Sequence, residues 1–247
     1  KKRDKKRDLR AVKARFEPFA ENQVDTKYLT GIPYYVAQLL GDPTLARFLY
    51  TWRDVRTGAL FLGLANELSK AHACAFAAAV GAHLRRTGFD LAGFGVVQTD
   101  NGTEFSGTER TVSDDGFPAL IEKRLLATHR FIPPRRKNRQ ADVETIHHLI
   151  EGEFFDLECF AGRDDLLKRA SLWQLWFNTA RKNYSKGGRT PDDILREERP
   201  ERDPRVWLLP VLDLDQLVAA RAKALASGTS RGGYYLPSLP GPGAKAA

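Results

Sequence analysis

Methionine is absent from the 247 residues and the chain begins at Lys1, so the sequence reads as a fragment that lacks upstream residues. Cysteine is scarce as well. Cys74 and Cys159 stand far apart, and neither sits in a Cys-x-x-Cys or Cys/His spacing. That speaks against a zinc site and a disulfide framework, and for two buried small apolar residues in a reducing compartment. Long apolar runs are missing too. The longest, Ala73 to Ala82, is 10 residues between His72 and His83. A membrane span needs about 20, so this run reads as a buried helix. No secretory leader pattern is visible. The expected location is cytoplasmic, with no membrane partner.

What is present suffices for one sizeable domain with extensions, since 42% of the residues are hydrophobic. The net charge is +8, yet residues 1–15 alone hold nine Lys or Arg against two Asp. That arm carries +7, leaving about +1 for all the rest. Lys5, Lys6 and Arg7 lie at its centre. A basic arm of this kind either meets phosphates or is a solvated helix face, and charge alone leaves both open.

Residues 1–17 read as a basic helix or arm, stopped by Pro18. Asn22 to Leu29 alternates and is the first expected strand. Thr30 to Thr44, with Gly31, Pro33, Gly41 and Pro43, reads as a turn-rich excursion. Strands are expected at 47–52 and 59–65, then an Ala-rich helix at 67–86, a strand at 95–99, a short helix at 117–127, a strand at 129–132, and helices at 141–157 and 164–181. Thr190-Pro191 opens one more helix. Residues 199–226 form a C-terminal extension with an amphipathic segment at 212–225. Residues 227–247 are a Pro/Gly-rich tail expected to be disordered. The order β-β-β-α-β-α-β-α-α is that of an α/β mixed sheet flanked by helices.

The chain is organised around Val96-Val97-Gln98-Thr99-Asp100-Asn101-Gly102-Thr103-Glu104-Phe105. An apolar strand ends on an acid and breaks at Asn-Gly, a pair that tolerates positive φ. A lone Asp-Asn-Gly would be a capped turn. The longer string resembles the central motif of the DDE recombinases: retroviral integrases and bacterial insertion-sequence transposases. Three further segments carry the resemblance in the right order. Asn22-Gln23-Val24-Asp25-Thr26 resembles the family's first-strand motif, with Asn22 where Trp is frequent. Asn138-Arg139-Gln140-Ala141-Asp142-Val143-Glu144-Thr145 resembles the string that opens its catalytic helix, with Ala141 in place of Gly. Trp176-Phe177-Asn178-Thr179-Ala180-Arg181 and Gly188-Arg189-Thr190-Pro191 resemble the tail of the bacterial branch. The match spans roughly residues 20–195.

The resemblance implies an RNase H-like five-stranded core over residues 18–198 and a catalytic, metal-binding trio of Asp25, Asp100 and Glu144. It also implies two Mg²⁺ (or Mn²⁺) ions, double-stranded DNA partners (transposon ends and target), homo-oligomers on DNA, and a bacterial, nucleoid-associated setting. Two hard cations about 3.5–4 Å apart can serve the attacking and leaving oxygens of a phosphodiester together, and carboxylates are their natural ligands. Forty-three residues separate Asp100 from Glu144, and Glu109 to Phe117 reads as the inserted loop.

Other residues compete for roles. Asp54 reads as a turn former, and Glu104 as a packing or capping acid near the loop. Asp142 lies about 200° around the helix from Glu144, so both cannot face one site. His148, one turn after Glu144, is a candidate DNA contact; a solvated helix histidine is the other reading. Arg130, Arg135, Arg136, Lys137 and Arg139 put five bases in ten residues with no acid, a patch suited to the DNA backbone. Trp173 and Trp176 are expected in the core. The expected activity is strand cleavage by water followed by 3′-hydroxyl transfer. A nuclease that only hydrolyses, and an inactive DNA-binding derivative, are the alternatives.

Overall fold

The computed structural model describes residues 11–106, 116–133 and 141–228. Strand β1 (Glu21–Tyr28) runs through the middle of the sheet. Helix α1 (Pro33–Gly41) follows where the sequence suggested only turns. Pro33 sits in its first turn, where a missing N–H costs nothing, so this proline starts a helix instead of breaking one. Strands β2 (Phe48–Asp54) and β3 (Leu60–Ala65) complete an antiparallel meander with β1. Helix α2 (Lys70–Arg86) is capped by Ser69, whose hydroxyl accepts from the His72 N–H.

Strand β4 (Val96–Thr99) pairs parallel to β1, and β5 (Thr128–Phe131) parallel to β4. Between them lie a single helical turn, α3 (Thr103–Ser106), and α4 (Phe117–Ala119), which widens into a π-helical turn over Leu120–Arg124. Helix α5 (Ala141–Ile150) also ends in a π-helical turn, Glu151–Phe155. Helices α6 (Arg163–Thr179) and α7 (Pro191–Glu198) follow, α7 opening on a capping box between Thr190 and Asp193. Strand β6 (Leu212–Asp213) and helix α8 (Leu214–Ala226) close the described chain.

The sheet order is β5-β4-β1-β2-β3-β6. An antiparallel β1-β2-β3 meander flanked by parallel β4 and β5 is the RNase H-like arrangement, here with six strands and not the five expected. The sixth pairs parallel to β3 through only Gly63–Leu212 and Leu64–Asp213. Two residues are too short to leave a period in the sequence.

Apolar cores fill both faces. Phe19, Val24, Tyr50, Trp52, Phe61 and Phe76 pack under α2. Leu29, Tyr35, Leu62, Ile146, Phe155 and Phe177 pack under α1, α5 and α6. The backbone of β3 is partly paired by side chains from α6. Asn178 accepts from the Leu60 N–H (2.9 Å) and donates to the Leu60 carbonyl (2.8 Å), and Gln174 accepts from the Leu62 N–H (2.7 Å). The segment after α7 packs onto this body. Trp207 is buried and donates to Asp192 (2.7 Å), and Arg163 on α6 clamps Asp213 and Asp215.

Two smaller expectations are corrected. Cys159 is exposed, its thiol 3.0 Å from the Tyr34 hydroxyl, whereas Cys74 is buried. Trp173 is buried, but Trp176, three residues on, is 45% exposed at the rim of the α6 apolar face. Among the described residues, no helix is long and apolar enough to cross a membrane.

Candidate active site

Asp25 owes its place to β1. The inward residues of this strand on the α5 side are Gln23, Asp25 and Lys27, spaced by two. Each meets a residue of the helix above, spaced by four. Gln23 Oε1 accepts from the Val143 N–H (3.2 Å), Asp25 Oδ2 lies 3.8 Å from His147 Nδ1, and Lys27 pairs with Glu151 (2.7 Å). Two strand residues advance about 6.6 Å and four helical residues about 6 Å, so strand and helix stay in step over about two turns. The helix that carries Glu144 is thereby fixed along the strand that carries Asp25.

Asp100 is placed by the neighbouring strand. Gln23 pairs with Gln98 in the parallel register. The pairing runs no further, and Asp100 follows β4 directly at this level of the sheet, close enough for its charge to act on Asp25. Asn22 ties this level down. It is fully buried, donates to the Phe19 carbonyl (2.7 Å) and the Val96 carbonyl (3.3 Å), and accepts from Trp52 Nε1 (3.0 Å). A single amide thus joins β1 to both neighbours, three residues before Asp25.

The Asp100 turn differs from its expected form. Neither Asn101 nor Gly102 has positive φ. Asp100 Oδ1 accepts from the Gly102 N–H (2.9 Å), and Asn101 Nδ2 donates to the Ile132 carbonyl (2.9 Å), which pins the turn to the end of β5. Gly102 leaves the space that the tip of Glu104 fills. A β-carbon there would stand 2.5 Å from Glu104 Oε2 and 3.0 Å from Asp100 Oδ1.

These acids act on one another through their charges. Asp25 is pushed up from 3.8 to about 7, first by burial, then by the charge of Asp100, with smaller contributions from Glu104 and Glu144. Glu104 is raised by burial and by Asp100. Among the described residues Glu104 makes no ion pair, although it is only 7% exposed. His147 gives Asp25 no positive charge. Burial, aided by Lys27 and His148, drives His147 down to about 3, so it is neutral, and its Nε2 meets the Thr51 hydroxyl at 3.1 Å.

Glu144 and His148 are both exposed on the open side of α5, while the buried histidine beside Asp25 is His147. A signal for that existed: Val143, Ile146, His147 and Ile150 share one face. Asp142 points elsewhere and pairs with Lys13. Asp54 is a buried turn former. Its carboxylate accepts from the N–H groups of Phe19 (3.0 Å) and Thr57 (2.7 Å) and from the Thr57 hydroxyl (2.6 Å). Arg130 is exposed at the end of β5, 3.5 Å from Glu21. Lys5, Lys6, Arg7, Arg135, Arg136, Lys137 and Arg139 lie outside the described residues, as does most of the expected inserted loop.

Among the described residues, no three His, Cys, Asp or Glu side chains stand close enough to form a ready cation cage. The donor set still suits a hard cation. Mg²⁺ takes oxygen ligands and keeps several waters, so it needs only one or two carboxylates. A cation would also relieve the mutual repulsion that raises Asp25.

No family model and no curated protein matches the chain. Among solved structures, the catalytic core domain of BIV integrase is similar, with 17% identity, a TM-score of 0.48, and coverage of 74% of this chain and 98% of that one.

Proposed function

We propose that the chain is the catalytic domain of a DDE-type DNA transposase or integrase. It cleaves DNA strands with water and joins the freed 3′-hydroxyl to target DNA. What supports this reading is that the charges of Asp100 and Glu144, from two distant segments, both act on Asp25 of the central strand. Asp25 and Asp100 would hold Mg²⁺ between β1 and β4, and Glu144 would reach it from the first turns of α5. Bound there, Mg²⁺ lowers the pKa of a coordinated water and neutralises charge on the phosphoryl oxygens.

The chain's own groups supply the rest. Asp25 is on β1 and Asp100 directly follows the adjacent β4, where the Gly102 N–H and the Asn101–Ile132 bond hold its turn. Glu144 is on a helix locked to β1 through Gln23, and so can serve a separate ligand position without shifting the other two. His147, neutral and held by Thr51, fills the space behind Asp25 and keeps bulk water from that side. Arg130 and the basic stretch 135–139 would offset the repulsion between the acids and the DNA backbone. Double-stranded DNA is the partner, and work on two paired ends calls for a homo-oligomer.

Incubating supercoiled plasmid and pre-cleaved oligonucleotide ends with Mn²⁺ or Mg²⁺ tests the reading. Nicking plus joined products supports a transposase or integrase. Nicking without joining identifies a hydrolytic nuclease. Processing unchanged by Asp100→Asn removes the trio from the chemistry.

A further inference from the structure

Resting on the reading above, we propose that Glu104 is a positioning residue of this site: a fourth carboxylate that braces Asp100 and strengthens the hold on a divalent cation. The case is geometric. Asp25 and Glu144 reach the edge from the α5 side of the sheet. Glu104 comes from the other side, on α3, which packs against α2 and brings it beside Thr26 and Tyr50. Thr26 and Tyr50 are partners in the β1–β2 register, on the face opposite Asp25. From there the Glu104 carboxylate folds back under the Asp100-Asn101-Gly102 turn. It fills the space a β-carbon at 102 would take, and Asp100 Oδ1 closes the other side of that space.

This is an odd place for a packing acid. The side chain is 93% buried by its 7% exposure, and among the described residues no Lys, Arg or His pairs with it. The Thr26 hydroxyl beside it makes no geometrically sound hydrogen bond and is itself buried. A glutamine or leucine would fill the same volume without adding a negative charge beside Asp25 and Asp100. An acid with no cation of the protein's own, set beside the Asp100 carboxylate, is suited to a cation from solution. Partners behind a metal's direct ligands commonly govern affinity by 10–100-fold. Glu104 would act in that way: it fixes the carboxylate orientation of Asp100 through the turn and adds charge behind it.

The test is Mn²⁺ affinity, read by water-proton relaxation into the millimolar range, together with the melting temperature of the metal-free chain. In Glu104→Gln, Mn²⁺ affinity should fall about tenfold or more, while the metal-free melting temperature should not fall, because the amide fills the same volume. Asp100→Asn should lose Mn²⁺ binding. Glu104→Gln that binds Mn²⁺ like wild type while Asp100→Asn does not overturns the inference and leaves the active-site reading standing. Wild-type affinity in both Asp25→Asn and Asp100→Asn, or no Mn²⁺ binding by the wild type, overturns both. If Glu104→Gln does not fold, Gly102→Ala gives the answer. Its new methyl displaces the tip of a flexible side chain, so the fold should persist, and undiminished Mn²⁺ affinity in it would overturn the inference.

Discussion

Replacing Asp25 by Asn should stabilise the metal-free protein at pH 8 while destroying its proposed chemistry. In the folded chain Asp25 is raised from 3.8 to about 7, chiefly by burial and by Asp100. A carboxylate whose folded pKa is raised favours folding below its unfolded pKa, and that contribution is lost as pH climbs through the folded value. Above about pH 7 Asp25 is ionised in both states, and the folded state carries the full repulsion. Below about pH 4 it is protonated in both, and Asn and Asp are nearly equivalent. The displacement corresponds to at most about 4 kcal/mol at 1.36 kcal/mol per pKa unit. Partial exposure and water at the sheet edge reduce this to roughly 1–3 kcal/mol. Urea unfolding of wild type and Asp25→Asn, from pH 4 to 9 in a chelator, measures the difference directly. The variant should gain on the wild type as pH rises from 4 to 8, and millimolar Mg²⁺ should narrow the gap by stabilising only the wild type. A difference that does not vary with pH, or a variant less stable at pH 8, would refute the picture of repelling acids.

Glu144→Gln should leave stability within about 0.5 kcal/mol, because Glu144 is exposed. Plasmid nicking in Mn²⁺ should nevertheless fall by about 100-fold or more, as expected when several kcal/mol of metal-assisted stabilisation is lost. Asp54→Ala should do the reverse in kind. It strands the N–H groups of Phe19 and Thr57 and costs about 3 kcal/mol or more in urea unfolding. Asn178→Ala unpairs both backbone groups of Leu60 at the β3 edge and should cost about 2–4 kcal/mol by the same measurement, with Mn²⁺ affinity unchanged.

Much of the fold was legible because its elements are long and their periods clean. The Ala-rich α2, the β2–β3 hairpin around Asp54 and the apolar β4 each carry a local signal that tertiary packing reinforces. The misses are local signals with two meanings. Pro33 can break a chain or open a helix, and the burial of Tyr35 and Leu39 against the α5 side decides for a helix. Strand β6 lies where Arg163, some fifty residues earlier in the sequence, binds Asp213 and Asp215, a contact that no local pattern announces. Asn178 stood in the sequence only as part of the tail string. The structure gives it a structural task, pairing the backbone of β3.

The candidate site was legible in a different way. Its acids were picked out by resemblance of short strings, which says nothing of what neighbours each acid. The neighbours follow from register. With Gln23 beside Gln98, Asp100 leaves the end of β4 close enough for its charge to act on Asp25. Once Gln23 also bonds to Val143, the helix can present His147 to Asp25 and Glu144 to solvent, and not the reverse. Hence the buried histidine is His147 and the exposed one His148, a choice that the apolar spacing of Val143, Ile146 and Ile150 already contains. Glu104 could not be sorted in this way. As one polar residue in a four-residue helix it has no period to read. Its significance arises only when α3 turns it back beneath Gly102, and the glycine that seemed to serve a left-handed turn instead leaves room for a carboxylate.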